Sequence, residues 1–247
     1  MGQRQIRPRP LGFAFLPFTC EITEFVQPGT QASLVIGVDS TRSGLGDKHA
    51  GWLEPVRLFA EPASYISRFH ISTDLDSQYR DATMKVWLRM DFHGAADAHV
   101  KLSLKDTEGR PVALSPSVVE LTAATPETIT DVPVDNPLKW DAEHPRLYTL
   151  KVSVIGGDGA VLETLSRRFG FVKIERAGRR VLINGREVKP RGGGWYGGGY
   201  SVQEMVDNNM NHTRAKSAYE ELLDDCDQLG IYALDEDPVD FAKNRRQ

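Results

Sequence analysis

The chain contains few cysteines, and none of them lie at a short spacing. Cys20 and Cys226 are the two cysteines among 247 residues, and most of the sequence separates them. Small secreted domains that depend on disulfides carry several cysteines at short spacings. The sequence therefore does not indicate a disulfide framework and fits a reducing compartment.

Long apolar runs are absent as well. No stretch approaches the roughly 18 apolar residues of a membrane-spanning helix. Residues 1–10 are polar and lack the apolar segment of a secretory signal. We therefore expect no membrane partner and no signal peptide in this chain. The cytoplasm is slightly favoured, but the compartment stays unknown because a longer parent protein could carry a leader.

The sequence also has no large net charge, and its histidines do not lie at the spacing of metal ligands. The formal net charge is −4, and 26% of residues are charged against 40% hydrophobic, the balance of a globular protein. Because no basic stripe is present, we expect no nucleic-acid partner. The six histidines are scattered without ligand spacing, so no metal site is predicted.

Alternation of apolar and polar residues is abundant. Segments 84–92, 100–104 and 148–154 each alternate with a period of two, which is typical of half-buried strands. Turn-rich segments separate them. The spacing predicts an antiparallel β-sandwich from about residue 62 to residue 175. The apolar face of these strands supplies its predicted core: Val86, Leu88, Met90, Leu102, Leu104, Leu150 and Val152.

Further strand signals occur on both sides of this sandwich. Segments 20–39 and 56–60 look extended, but they contain too few strands to close a sandwich of their own. On the other side, two short apolar runs flank Asn184-Gly185. Asn-Gly between such runs favours a type I′ turn, which needs a positive φ at both turn residues. We therefore predict a hairpin at this position.

Helix signals begin after Arg191. Ser201 and Glu204 fit a capping box, in which the two side chains satisfy the first free amides of a helix. Apolar residues as far as Met210 continue the same helical face. This pattern predicts a first helix starting after Ser201.

A second helix and a strand follow. A short run at 211–215 precedes a predicted helix over 218–229, which stops at Gly230 because glycine is favoured just after a helix end. Residues 231–234 then form an apolar strand. The order strand, helix, strand, helix, strand predicts the opening of a parallel α/β unit.

Six segments carry motifs whose order is familiar: ITEFVQPG, GWLEPVRLFAEP, HPRLYTLKVSVIGGDGAVLETLSRRFGFVKIE, VLINGREVKPRG, NNMNHTRAKS and CDQLGIYALDE. In this order they resemble the family 2 glycoside hydrolases, which include β-galactosidases, β-glucuronidases, β-mannosidases and exo-glucosaminidases. The resemblance extends over nearly the whole chain, although each motif is modest alone.

The resemblance implies a mainly β chain of three parts. These are a partial jelly-roll sugar-binding domain over 1–61, an immunoglobulin-like β-sandwich over 62–175, and the start of an incomplete (β/α)₈ TIM barrel over 176–247. By that template the chain is truncated at both ends. It supplies about two and a half of the eight β/α units that a barrel needs.

The resemblance also implies where catalysis takes place. Retaining glycosidases use two carboxylates about 5 Å apart, one as acid/base and one as nucleophile. In this family both come late in the barrel, and the acid/base belongs to an Asn-Glu pair. The sequence contains no Asn-Glu dipeptide. We therefore predict no catalytic residue in this chain, and the mechanism requires no cofactor.

Four polar residues are candidates for the substrate pocket. Asp235 and Glu236 follow a predicted barrel strand, and such strand ends line the active site; the alternative is a solvated charge cluster at the strand end. Arg214 and Asn211 match the family's Asn-x-x-Arg segment. A guanidinium can anchor sugar oxygens or orient a carboxylate; the alternative for Arg214 is a structural ion pair.

Trp195 is the fifth candidate for the pocket. Its indole ring could stack on the apolar face of a sugar, and the alternative is a core tryptophan beside flexible glycines. The run from Arg191 to Trp195 departs from the β-galactosidase form and looks closer to the exo-glucosaminidase and mannosidase branch. This departure puts galactose specificity in doubt.

The sequence therefore predicts a fragment of an O-glycosyl hydrolase that acts, in the intact parent, on β-linked sugars. Alone, the chain is expected to be inactive. The alternative is a non-catalytic β-sandwich module that binds carbohydrate or a protein. The expected partners are the carbohydrate substrate and, because an open barrel leaves unpaired strand edges, a complementing barrel fragment or a second copy of the chain.

Overall fold

The structure is a computed structural model that describes residues 20–36, 56–93, 97–195, 201–216 and 220–236. We treat residues 60–235 separately from the remainder of the chain. No helix in these described ranges is long and apolar enough to cross a membrane.

The first layer of the sandwich is a three-stranded antiparallel sheet. Its strands are β1 (Ser64–Leu75), β2 (Ala82–Phe92) and β6 (Glu127–Val134), in the order β1-β2-β6. Alternate residues of β2 are buried, as its apolar-polar alternation predicts. The register of β1 against β2 shifts between Ile66 and Arg68, where β1 carries a bulge.

The second layer is a five-stranded antiparallel sheet. It contains β3 (Asp97–Lys105), β4 (Pro111–Val112), β5 (Val118–Thr122), β7 (Tyr148–Ile155) and β8 (Val161–Phe169). The order is β4-β3-β7-β8, and β5 pairs with β3 as well. The two sheets bury their apolar faces against each other, since one cluster of buried residues contains side chains from both.

The predicted core of this sandwich is confirmed. All seven residues expected there are at most 2% exposed, including Leu88 on β2 and Leu150 on β7. Phe171 adds a fully buried aromatic ring that meets Tyr148 edge-on, with ring centroids 4.9 Å apart. The sandwich therefore has a continuous hydrophobic core, the main source of its stability.

A small antiparallel meander follows the sandwich. It consists of β9 (Ile174–Ala177), β10 (Arg180–Ile183) and β11 (Arg186–Val188). The predicted hairpin is confirmed: Asn184 and Gly185 connect β10 to β11 with φ values of 50° and 77°.

The next part alternates strands with helices. It contains β12 (Gly192–Trp195), α1 (Val202–Asp207), β13 (His212–Lys216), α2 (Glu220–Leu229) and β14 (Tyr232–Glu236). The three strands form one sheet in the order β12-β13-β14, and β12 is parallel to β13. The predicted order of elements is confirmed, whereas their assignment to the start of an incomplete TIM barrel stays a prediction.

Local sequence signals set the ends of both helices. The Ser201 hydroxyl accepts from the Glu204 backbone N–H at 3.2 Å, and the Glu204 carboxylate accepts from the Ser201 backbone N–H at 2.7 Å. Helix α2 ends before Gly230, whose φ of 79° suits a glycine. The predicted capping box and helix stop are confirmed.

Two boundaries differ from the sequence prediction. Helix α1 ends at Asp207 instead of continuing to Met210, because Asn209 has a φ of 58° and turns the chain. Strand β14 includes Asp235 and Glu236, which were expected to follow the strand. The apolar pattern ends where the charged residues begin, but backbone pairing does not depend on side-chain polarity. The end of the strand could therefore not be predicted from that pattern.

The segments before the sandwich form no paired strand within residues 20–36 and 56–60. The regular element there is a 3₁₀ turn, Thr23–Phe25. Apolar side chains such as Val35 (89% exposed) and Leu58 (81% exposed) point to solvent. The extended segments predicted at 20–36 and 56–60 therefore lack strand partners. Residues 37–39 lie outside the described residues, and the jelly roll and the division at 61 and 175 stay predictions.

Candidate functional site

The edge of the α/β sheet where its strands end is the candidate site. Backbone pairing places Trp195 opposite Ala215, at the end of β12. The Tyr232 N–H donates to the Asn211 carbonyl at 2.9 Å, so β13 and β14 begin at the same edge of the sheet. Asp235 therefore lies at the same edge as Trp195. In parallel sheets this carboxyl-terminal edge is where ligands bind.

Arg214 lies one position before that edge. It is half-buried on β13 and pairs across the backbone with Gly194, the neighbour of Trp195. Successive strand residues face opposite sides of a sheet, so Arg214 and His212 share one side and Thr213 takes the other. Burial lowers the pKa of His212, which favours the neutral form of its imidazole. The structure thus brings Arg214 next to the end of β12.

Asn211 lies at the opposite edge, where β13 begins. Its side-chain oxygen accepts from the Arg191 N–H at 2.7 Å, and its amide nitrogen donates to the Lys189 carbonyl at 3.3 Å. These bonds fasten the backbone that leads into β12. The described contacts show that Asn211 stabilises the backbone before β12. Its place in a pocket stays a prediction.

Asp235 and Glu236 are the last two residues of β14, and the described structure includes their backbone but not their side chains, as for Trp195. A direct contact of these three side chains with a sugar therefore stays a prediction. No group of three or more His, Cys, Asp or Glu residues that could hold a metal ion occurs in the described ranges.

The two helices of the α/β part pack against each other. Val202 and Met205 of α1, Leu222 and Cys226 of α2, and Ile231 form a buried cluster. Burial, together with the nearby Asp227 and Asp225, raises the pKa of the Cys226 thiol to about 11, so this cysteine is an unreactive core residue. The cluster thus joins the two helices to the residue that precedes β14.

Trp140 connects the sandwich to this α/β part. It lies in the loop between β6 and β7 and is 7% exposed. Its indole N–H donates to the Asp227 carbonyl at 2.7 Å, and its ring meets Tyr232 edge-on at 5.5 Å between centroids. The Tyr232 hydroxyl accepts from the Ala142 N–H at 3.2 Å. The loop therefore fixes the end of α2 and the start of β14.

Charged groups add to the same contact. Arg167 and Arg168 of β8 lie 3.7 Å and 3.8 Å from carboxylate oxygens of Glu220 and Asp224 on α2. All four side chains are largely exposed, so each pair contributes at most about 1 kcal/mol. Trp140 therefore dominates this connection. Sequence analysis did not identify it, and a lone tryptophan outside the alternating strands was the available signal.

Neither of two open cavities on the described part of the chain contains a predicted site residue. One, of about 420 Å³, lies beside β1 and Gly170. The other, of about 380 Å³, lies between the loop at 136–146 and the hairpin of β10 and β11. The second is rich in basic side chains, a feature that sequence analysis also missed.

Comparison with known proteins identifies the origin of the sandwich. Residues 64–171 match the family model for glycosyl hydrolases family 2. This segment of the chain is therefore similar to that family. The matched segment begins with β1 and ends just after β8, so the family 2 segment coincides with the two-layer sandwich.

Relatives match this chain over most of its length. The chain is similar to a β-galactosidase of Priestia megaterium, with 27% identity, and to one of Clostridium acetobutylicum, with 24% identity. Each match covers 90% of this chain but 24% and 26% of the relative. The chain therefore spans about a quarter of the length of these relatives.

Solved structures of family 2 enzymes share the fold. A β-glucuronidase of Parabacteroides merdae matches with a TM-score of 0.62 at 24% identity, covering 72% of this chain and 24% of that one. A β-glucuronidase of Bifidobacterium dentium matches with a TM-score of 0.61 at 24% identity, covering 72% and 31%. These matches agree with the antiparallel sandwich. The sugar for which each of those enzymes is named is a property of that enzyme.

Proposed function

We propose that this chain is part of a retaining β-glycosidase and supplies its sandwich together with the opening β/α units of a TIM barrel. The observation that carries this proposal is the alignment of 90% of the chain with a β-galactosidase four times as long. The order of β12, α1, β13, α2 and β14 supports the barrel, because such barrels begin with alternating strands and helices.

We assign the carboxyl-terminal edge of the sheet to the wall of the sugar pocket. Arg214 is half-buried beside the end of β12, where a guanidinium can bind sugar hydroxyls or orient a carboxylate. Trp195 would present an apolar ring face, and Asp235 and Glu236 would accept hydrogen bonds from hydroxyls. Asn211 would act from the opposite edge, by holding the entry to β12.

The 247-residue chain by itself is proposed to be inactive. The double-displacement mechanism needs an acid/base and a nucleophile about 5 Å apart. The sequence lacks the Asn-Glu dipeptide in which the family places its acid/base.

A second candidate is a non-catalytic module that binds carbohydrate or a protein. The complete core of the sandwich favours it, because strands β1 to β8 bury their apolar faces without help from the α/β part. For both candidates we propose that the edge strands β12 and β14 take up a complementing barrel segment or a second copy of the chain.

Fractionation of the source cells separates the two candidates. We would follow hydrolysis of nitrophenyl β-glycosides across a size-exclusion column and identify peptides of residues 64–171 by mass spectrometry. If the chain is part of a glycosidase, these peptides elute with an activity peak, and an antibody against the sandwich depletes that activity. A pre-immune antibody is the control. Peptides that elute apart from every activity peak would contradict the proposal and favour the binding module.

A further inference from the structure

The basic cavity next to the sandwich has the features of a second binding site. Its volume is about 380 Å³, within the range of small-molecule pockets, and it is lined by two separate segments and Tyr79. The loop between β6 and β7 contributes Lys139 and Arg146, and the hairpin of β10 and β11 contributes Arg186. This cavity is distinct from the strand ends that carry the predicted pocket.

Cations outnumber anions in the lining. Lys139, Arg146 and Arg186 carry positive charge, and Asp141 is the carboxylate among the lining residues. One oxygen of Asp141 already accepts from the His144 N–H at 2.7 Å and lies 3.1 Å from the His144 ring nitrogen. The lining therefore has a net positive charge that its own carboxylate does not balance.

The guanidinium groups of the two arginines have no protein partner among the residues that the structure describes. Within the described ranges, neither Arg146 nor Arg186 makes a side-chain hydrogen bond or an ion pair. Nearby carboxylates are already engaged, since Asp81 pairs with Arg80 at 2.7 Å and Glu175 accepts from the Tyr79 hydroxyl at 2.7 Å. Five N–H donors on each guanidinium are thus available to a ligand.

The rest of the lining is held in place. Tyr79 has a φ of 56°, its hydroxyl is bound to Glu175, and its ring packs against Gly185 at the hairpin tip. Lys139 donates to the Arg80 carbonyl and, at 3.3 Å, to the Asn136 side chain. A wall that is already ordered loses little entropy on binding, which favours affinity.

We propose that this cavity binds a small organic oxyanion, with Arg146 and Arg186 as the anion-binding residues. A carboxylate or a phosphate monoester accepts hydrogen bonds from guanidinium groups in pairs, and the ring of Tyr79 with Leu138 and Ile183 offers an apolar surface to the rest of the ligand. Both arginines are exposed, so we expect dissociation constants on the order of 1 mM.

Titration of the ¹⁵N-labelled chain tests this proposal, with citrate, glucose 6-phosphate and glucose as probes at constant ionic strength. We expect citrate or glucose 6-phosphate to shift the Nε–H signals of Arg146 and Arg186, and glucose to shift neither. Binding of citrate alone assigns the site to carboxylates, and binding of glucose 6-phosphate alone assigns it to phosphates.

Two variants make the test specific. The double variant Arg146→Gln with Arg186→Gln should bind at least about tenfold more weakly, a difference of about 1.4 kcal/mol. Because both side chains are exposed, its amide spectrum outside the cavity should not change. Arg179→Gln, in the turn between β9 and β10, is the matched control and should bind like the wild type. No shift with either anion, or equal binding by the double variant, would overturn the proposal.

Discussion

Replacing Trp140 with alanine is expected to loosen the α/β part while leaving the sandwich folded. The substitution removes a ring that is 7% exposed and deletes the hydrogen bond to the Asp227 carbonyl and the contact with Tyr232. A buried Trp→Ala substitution costs about 3–5 kcal/mol. Because the lost contacts involve α2 and β14, most of this cost should fall on those two elements.

Hydrogen exchange of backbone amides measures this effect element by element. In Trp140→Ala we expect faster exchange in α2 and β14 and unchanged protection in β2, β3 and β7. Trp140→Phe keeps most of the ring but leaves the Asp227 carbonyl without its donor, so a smaller loss of about 1–3 kcal/mol is expected.

Trp87 provides the matched control. It is also a tryptophan with a bonded indole N–H, but it lies on the outer face of β2, where it contacts Glu127 and Arg68. Trp87→Ala should leave exchange in α2 unchanged. Uniformly faster exchange across the sandwich and α2 in Trp140→Ala would show that Trp140 is not a specific connector.

Replacing Leu88 with alanine is expected to destabilise the sandwich itself. Leu88 is 0% exposed at the centre of β2 and belongs to the cluster shared by both sheets. Truncation removes buried methyl groups and leaves a cavity that close-packed neighbours fill only in part. The free energy of unfolding should fall by about 2–5 kcal/mol.

Denaturant unfolding followed by tryptophan fluorescence measures this loss. Ile129 on β6 is the control, because it is 58% exposed in the same sheet. Ile129→Ala should change the free energy of unfolding by about 0.5 kcal/mol or less. An equal loss in both variants would place the core of the domain elsewhere.

Most of the sandwich could be predicted from the sequence, because burial on one face of a strand imposes a period of two. Strands β2, β3 and β7 show that period clearly. Strand β1 was not identified, since a bulge between Ile66 and Arg68 interrupts its alternation and partly buried Phe69 and Ile71 add apolar residues. The bulge thus prevented the prediction of β1, although its partner β2 was predicted.

The helix ends could also be predicted, because the residues that set them are close in sequence to the helix end. The capping box at Ser201 and Glu204 and the glycine at position 230 act within one turn of the chain. In contrast, the strand pairing that puts Asn211 and Arg214 at different levels of the sheet depends on backbone contacts with residues about 20 positions away. A motif alone does not reveal it.

Features that join distant segments could not be predicted at all. The Trp140 indole binds a carbonyl 87 positions along the chain, and the basic cavity combines Arg146 with a hairpin that follows the whole second sheet. No periodicity links such residues. They become visible when the folded chain places the loop between β6 and β7 against α2 and the meander.

We propose that this chain carries the sandwich and part of the pocket wall but no catalytic carboxylate pair. Incubation of the purified 247-residue chain with nitrophenyl β-galactoside, β-glucuronide, β-mannoside and β-glucosaminide tests it most directly. We predict hydrolysis no faster than in buffer with any of the four, because without the pair no glycosyl-enzyme intermediate forms. Turnover that persists through purification and is abolished by Glu236→Gln would contradict the claim.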